Sequence, residues 1–143
     1  MKEATSFVLQ YHRWEKVKGS TSTVPHSHWD LRFDIPKNPG LVHFYLLEDP
    51  MKLTQLKAVL KPWAERERMN DEGSFPPGTP VNPTKDLPAI IEILDRGALI
   101  VLQDTPQLKE VEFNGNLLKG RWSLTKDSTT EDWKMKKISR KTT

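Results

Sequence analysis

The chain has no cysteine. Disulfide staples, thiolate nucleophiles and Cys-ligated zinc are excluded outright. That fits a reducing interior, and a cytoplasmic protein is expected. Glycine is scarce, seven residues against eleven prolines. This balance points to stiff loops and short strands rather than long helices. No apolar run approaches the length of a membrane span, so no membrane is expected as a partner. The opening Met1-Lys2-Glu3-Ala4-Thr5 has no apolar run behind it, so no signal peptide is expected. There is no Gly-rich phosphate loop, no GxSxG elbow and no internal repeat. Histidine also runs out early: none follows His43.

What remains is a mildly basic chain of 143 residues, net charge +3, with a pI of about 9.1. One domain, 1–143, can bury a core at this length without staples or a structural metal. A monomer is expected. The charge permits a polyanionic partner.

One stretch stands out. His28-Trp29-Asp30-Leu31-Arg32-Phe33 alternates polar and apolar without a break. On a strand, His28, Asp30 and Arg32 share one face and Trp29, Leu31 and Phe33 the other. The polar face then carries an imidazole, a carboxylate and a guanidinium in a row. Those are metal ligands beside a phosphate clamp. The same pattern also describes a solvent-facing strand in which Asp30 and Arg32 merely pair.

The rest of the chain reads as short strands. Residues 5–12 form one, with Phe7, Leu9 and Tyr11 on one side and Val8, Gln10 and His12 on the other. His12 alone is equally a half-exposed strand histidine. Residues 13–27 form a basic, flexible connection with Arg13, Lys16 and Lys18, either a backbone-binding arm or a solvated loop. His26 is a spare ligand if the second strand starts early. Leu41 to Leu47 places Val42, Phe44 and Leu46 opposite His43 and Tyr45, which would line the same cavity as His28 or pack as a structural pair. Lys57 to Trp63 reads as strand or helix, Ala64 to Asn70 as a short solvated helix, and 71–88 as a long Pro/Gly loop.

The second half predicts a hairpin, Ala89–Leu94 and Ala98–Gln103 around Asp95-Arg96-Gly97. A second hairpin, Leu108–Phe113 and Asn116–Thr125, turns at Asn114-Gly115. A last strand, Asp132–Ser139, has an apolar side of Trp133 and Ile138. Lys134, Lys136, Lys137, Arg140 and Lys141 make its tail basic, as edge strands often are. The count predicts an all-β, mainly antiparallel fold: a compact closed or nearly closed β-barrel of about eight strands, with one or two short helices.

At this point the chain resembles a known group. Phe7-Val8-Leu9-Gln10-Tyr11-His12 is similar to the opening motif of the 3′-phosphoesterase module of bacterial and archaeal DNA ligase D systems. His28-Trp29-Asp30-Leu31-Arg32 resembles that family's His-Tyr-Asp-Leu-Arg motif. Leu94-Asp95-Arg96-Gly97 resembles its Trp-Asp-Arg-Gly turn. The segment Val111 to Leu124 resembles its closing hairpin, and Asp132 to Lys137 its final strand. The resemblance covers roughly the first and last thirds of the chain.

The family is a compact β-barrel that trims 3′ ends of DNA with manganese. It removes a terminal ribonucleoside and then the 3′-phosphate. The resemblance therefore implies a hydrolase in break repair by non-homologous end joining. Its partners would be primer-template 3′ ends of DNA or DNA/RNA, with ligase and polymerase met in trans. It implies manganese, with cobalt or zinc as substitutes, held by His12, His28 and Asp30. Gln10 and Arg32 would match further active-site positions of the family. Beyond the resemblance, Arg32 and His43 are expected to complete the catalytic set, and Gln10, Arg32, Tyr45, Lys52 and Lys57 to contact substrate phosphate.

The chain also departs from the family. Fifteen residues separate His12 from His28, where the family has a short spacer. The family's later Glu-Asp-His-Pro-like segment is missing; the region Val59 to Ala64 offers Lys61 and Trp63 instead. Leu47-Glu48-Asp49-Pro50 stands where the family has Pro-Lys-Gly. The phosphate half of the site must be supplied by other residues, such as His43, Tyr45, Lys52, Lys57 or Arg66. The alternatives are a catalytically degenerate relative that binds nucleic acid or docks a protein, and a structural β-domain with an ion-pair ladder.

Overall fold

Alternation of apolar and polar residues fixes nine strands in this computed structural model, which describes residues 3–84 and 86–138. In chain order they are β1 (Glu3–Trp14), β2 (His28–Phe33), β3 (Leu41–Leu46), β4 (Gln55–Ala64), β5 (Gly73–Phe75), β6 (Ala89–Asp104), β7 (Leu108–Asn114), β8 (Lys119–Lys126) and β9 (Trp133–Lys137). Every pairing is antiparallel. The order β1-β2-β3-β4-β9-β8-β7-β6 closes through β6 back onto β1, giving an eight-stranded barrel. The short β5 adds to β6 as a ninth strand. The expected all-β barrel is what the chain forms. The expected helices reduce to one 3-10 turn, Arg66–Asn70, with no buried residue. Among the described residues no helix is long and apolar enough to cross a membrane.

The inward-facing residues make one apolar core. Phe7 and Leu9 of β1 meet Leu31 and Phe33 of β2 and Val42, Phe44 and Leu46 of β3. Trp122, Leu124, Trp133 and Met135 close it from β8 and β9. Phe44 packs edge-on against Trp133, with ring centroids 5.2 Å apart, and Phe7 against Phe113 at 4.9 Å. Burying each such side chain is worth about 1.5–3 kcal/mol. The core fixes which face of β1, β2 and β3 points away from it. That face is the one carrying Gln10, His12, His28, Asp30, Arg32, His43 and Tyr45.

The expected hairpin around Asp95-Arg96-Gly97 does not form. Ala89–Asp104 is one continuous strand paired with β1, β5 and β7. The carboxylate of Asp95 accepts from the backbone N–H groups of Asn116, Leu117 and Leu118, so it caps the β7–β8 turn rather than making a turn itself. Gly97 is required by contact: a Cβ there would meet the carbonyl oxygen of Asn114. The hairpin signal was therefore a turn-receiving signal. On the other side, the β1–β6 register shifts between Leu9 and Gln10, where Leu9 faces Asp95 and Gln10 faces Ile93. This bulge lies directly beneath the polar cluster, as bulges next to functional sites often do.

Smaller differences follow from packing. Lys57 to Trp63 is strand. The 71–88 segment contains β5. The strand after Asn114-Gly115 begins only at Lys119. In β9, Met135 rather than Ile138 joins Trp133 in the core. Strand β9 is no edge; it lies between β4 and β8. Ser139, Arg140 and Lys141 lie outside the described residues.

Candidate metal and phosphate site

Register brings the cluster together. Gln10 stands opposite Asp30 and His12 opposite His28 across β1–β2. Asp30 stands opposite Tyr45 and Arg32 opposite His43 across β2–β3. Asp30 is fully buried at the centre. Its Oδ1 lies 3.1 Å from His28 Nε2 and 2.7 Å from His43 Nε2. Its Oδ2 lies 3.4 Å from His12 Nδ1 and 3.9 Å from an Arg32 terminal nitrogen. Three imidazoles and a guanidinium thus surround one carboxylate.

Aromatic rings flank the imidazoles. Trp14 stacks on His12 at 4.2 Å, and Tyr45 stacks on His28 at 4.0 Å. Trp14 is itself held by a hydrogen bond from its Nε1 to Asn82 Oδ1, 3.1 Å. A roof lies over the other end. The Gln10 Oε1 accepts from Arg32, while its Nε2 donates to the carbonyls of Arg68 (2.8 Å) and Asp71 (3.0 Å). Arg68 in turn pairs with Asp71 at 3.2 Å.

Electrostatics follow from burial and these partners. Burial pushes the Asp30 carboxyl up, but the bonds with His12, His28 and His43 and the charge of Arg32 outweigh it and hold it well below the ordinary range. Burial pushes the His43 imidazole down, and the neighbouring Arg32 and His28 reinforce this against the pull of Asp30. Burial and the Asp30 charge raise the Tyr45 hydroxyl. Burial also raises Asp71, opposed by Arg68 and Arg32.

Four buried side-chain atoms among the described residues have no hydrogen-bond partner: His12 Nε2, Asp30 Oδ2, Arg32 Nε and Arg68 Nε. All four belong to this cluster. Buried polar groups are otherwise almost always satisfied, and exceptions ask for a water or an ion. The imidazole nitrogen and the carboxylate oxygen are donors of lone pairs, which suits a cation. The two guanidinium N–H groups are hydrogen-bond donors, which suits an oxyanion. One ligand atom from each of His12, His28 and Asp30 lies within 4.8 Å of the others. Two nitrogens and one oxygen suit a borderline divalent ion such as manganese, cobalt or zinc. The residues present fit such a group.

No protein-family model matches the chain, and no curated protein matches it.

Of the sequence-predicted residues, the fold gathers Gln10, His12, His28, Asp30, Arg32, His43 and Tyr45. It does not gather His26, which is exposed two residues before β2 begins. Lys52 is exposed in the turn before β4. Lys57 shares the outward face but its ammonium lies 3.5 Å from Asp132. Arg66 is turned away, pairing with Asp34 at 3.0 Å. In the 13–27 connection Arg13 pairs with Glu92, while Lys16 and Lys18 are exposed.

Sequence reasoning missed Trp14, Arg68 and Asp71, and gave Lys61 no role. Lys61 stands opposite His43, and its ammonium sits 4.6 Å from the centre of the Tyr45 ring. The β3–β4 register alone reveals it. Arg68 looked like one charge in a solvated run, and only the roof brings it to Arg32.

Proposed function

We propose that the chain is a divalent-metal-dependent phosphoesterase acting on 3′ ends of DNA, including DNA/RNA junctions. The observation that carries this reading is the pairing of cation-seeking and oxyanion-seeking orphan atoms in one buried cluster. A phosphoester bound to a metal presents both charges at once. The resemblance of the first and second motifs to the 3′-phosphoesterase family supplies the substrate class and the link to end joining.

In this reading His12, His28 and Asp30 hold the metal, manganese first. Bound there, it would polarise the phosphoryl group and offset its charge. Arg32 forks onto the phosphoryl oxygens, and Arg68 supplies the second guanidinium in place of the family's missing histidine. His43, kept neutral by burial, fixes the orientation of Asp30 through the 2.7 Å contact. Gln10 holds Arg32 and the roof in one arrangement. Such fixed donors in a dry site supply several kcal/mol of stabilisation where charge develops.

The test is release of phosphate from a 3′-phosphorylated primer-template with manganese, cobalt or zinc. Wild type is expected to release it. His28→Ala and Asp30→Ala are expected to be inactive. Arg68→Ala is expected to lower turnover while keeping metal binding. No release by wild type with any of the three metals would sink the reading.

A second reading, a relative without catalysis that binds nucleic acid or docks a protein, is favoured by the roof. Gln10 ties the Arg68 and Asp71 backbone across the cluster, and no histidine follows His43. Manganese that raises the melting temperature without any phosphate release would favour it.

A further inference from the structure

We propose that the outward face of β4 and β9 carries the backbone of single-stranded DNA toward the Asp30 cluster. Residues paired across strands point to the same side of the sheet. His43 faces Lys61 across β3–β4, and Lys57 faces Lys134 across β4–β9. Lys136 follows on the same side, opposite Gln55. Four ammonium groups therefore continue the face that holds His43 and Tyr45.

The arrangement sets two ammonium groups side by side, offset only in part by the nearby Asp127 and Asp132 carboxylates. Like charges directly opposite on neighbouring strands destabilise a sheet, and Lys57 and Lys134 are such a pair. Lys57 has Asp132 within 3.5 Å, with both side chains more than half exposed, so the pairing is weak. Lys134 and Lys136 make no ion pair among the described residues. Protection of a sheet edge does not explain them, because β9 is paired on both sides.

An aromatic group accompanies the charge. Trp63 lies two residues beyond Lys61 in β4, past the β3–β4 register shift, and is 52% exposed. A cationic track beside an exposed aromatic ring is how single strands are held without sequence preference. The track begins at the Lys61–Tyr45 contact, beside the cluster. That the strand's end meets the cluster rests on the reading above; the binding itself does not.

The experiment is fluorescence polarisation of a labelled single-stranded DNA oligonucleotide, without added metal, over a range of salt. The double variant Lys134→Gln/Lys136→Gln is expected to bind on the order of tenfold more weakly at low salt. Its log–log salt slope should be shallower by about 0.7 for each lysine removed. Trp63→Ala should weaken binding and keep the slope. Lys16→Gln/Lys18→Gln, in the other basic segment, should bind as wild type does. Melting temperatures equal to wild type establish that each variant is folded. The proposal is overturned if wild type does not bind at low salt. It is equally overturned if the β9 variant binds unchanged while the Lys16/Lys18 variant loses binding. An acidic peptide that displaces the DNA at equal charge would overturn the choice of partner. Because binding is read without metal, failure of the phosphate-release assay leaves this result standing.

Discussion

Gln10 and Arg32 are hydrogen-bonded across β1 and β2, and the other end of the Gln10 amide holds the Arg68 and Asp71 carbonyls. One fully buried amide thus joins the barrel wall to the roof of the candidate site. It does so at the point where the β1–β6 register shifts.

Gln10→Ala is therefore expected to cost more than a surface change. It leaves buried carbonyls and an arginine without their partner, at about 1–3 kcal/mol. Chemical denaturation reads the loss. Amide exchange should rise in residues 66–72 and stay unchanged in β7 and β8. A uniform rise, or none, would count against the roof as a locally tethered unit.

The metal-free protein should lose stability on mild acidification through His43. Its folded pKa lies below the ordinary value of about 6.5, because burial resists the charged form. Between those two values the unfolded chain holds more protons than the folded one, so stability rises with pH and falls as pH drops. His43→Gln should flatten the melting temperature between about pH 7.5 and pH 5.5 relative to wild type. The Asp30 contribution has its own window. Its folded pKa is depressed, so its stabilisation is full above about pH 3.9 and is lost only as pH falls through the lower folded value. Equal pH profiles for wild type and His43→Gln would refute the assignment to His43.

Asp95 and Gly97 should behave as supports of the β7–β8 turn. Asp95→Ala removes the acceptor of four backbone N–H groups, those of Arg96, Asn116, Leu117 and Leu118, and is expected to cost about 3 kcal/mol or more. Gly97→Ala drives a methyl group into the Asn114 carbonyl, at about 1–3 kcal/mol. Both losses are read by denaturation. Neither should change the manganese affinity, since both residues lie off the polar face.

The barrel and the His12-His28-Asp30 cluster were legible in the sequence because strict alternation fixes faces. Once Phe7, Leu9, Leu31, Phe33 and Phe44 claim the core, Gln10, His12, His28, Asp30, Arg32 and His43 have only the other side. What was not legible depends on contacts between distant segments. Asp95-Arg96-Gly97 carries turn chemistry in its own residues, but the turn it serves is Gly115 to Leu118, about twenty residues later. The segment carrying Arg68 is tied to the cluster through the Arg68 and Asp71 carbonyls, and backbone groups leave no mark on composition. Lys61 required the β3–β4 register, which a segment readable as helix or strand does not supply. Arg66 is plausible by charge but is paired with Asp34, and Lys57 lies on β4 away from the cluster, beside Asp132.

The proposed chemistry needs one arrangement: a cation among His12, His28 and Asp30, with an oxyanion on Arg32 and Arg68. Anomalous diffraction from a crystal soaked with manganese and phosphate tests it most directly. The expected result is a manganese peak bonded to His12, His28 and Asp30, with phosphate density against Arg32 and Arg68. Manganese bound elsewhere, or an undisturbed cluster with neither ion, would contradict it.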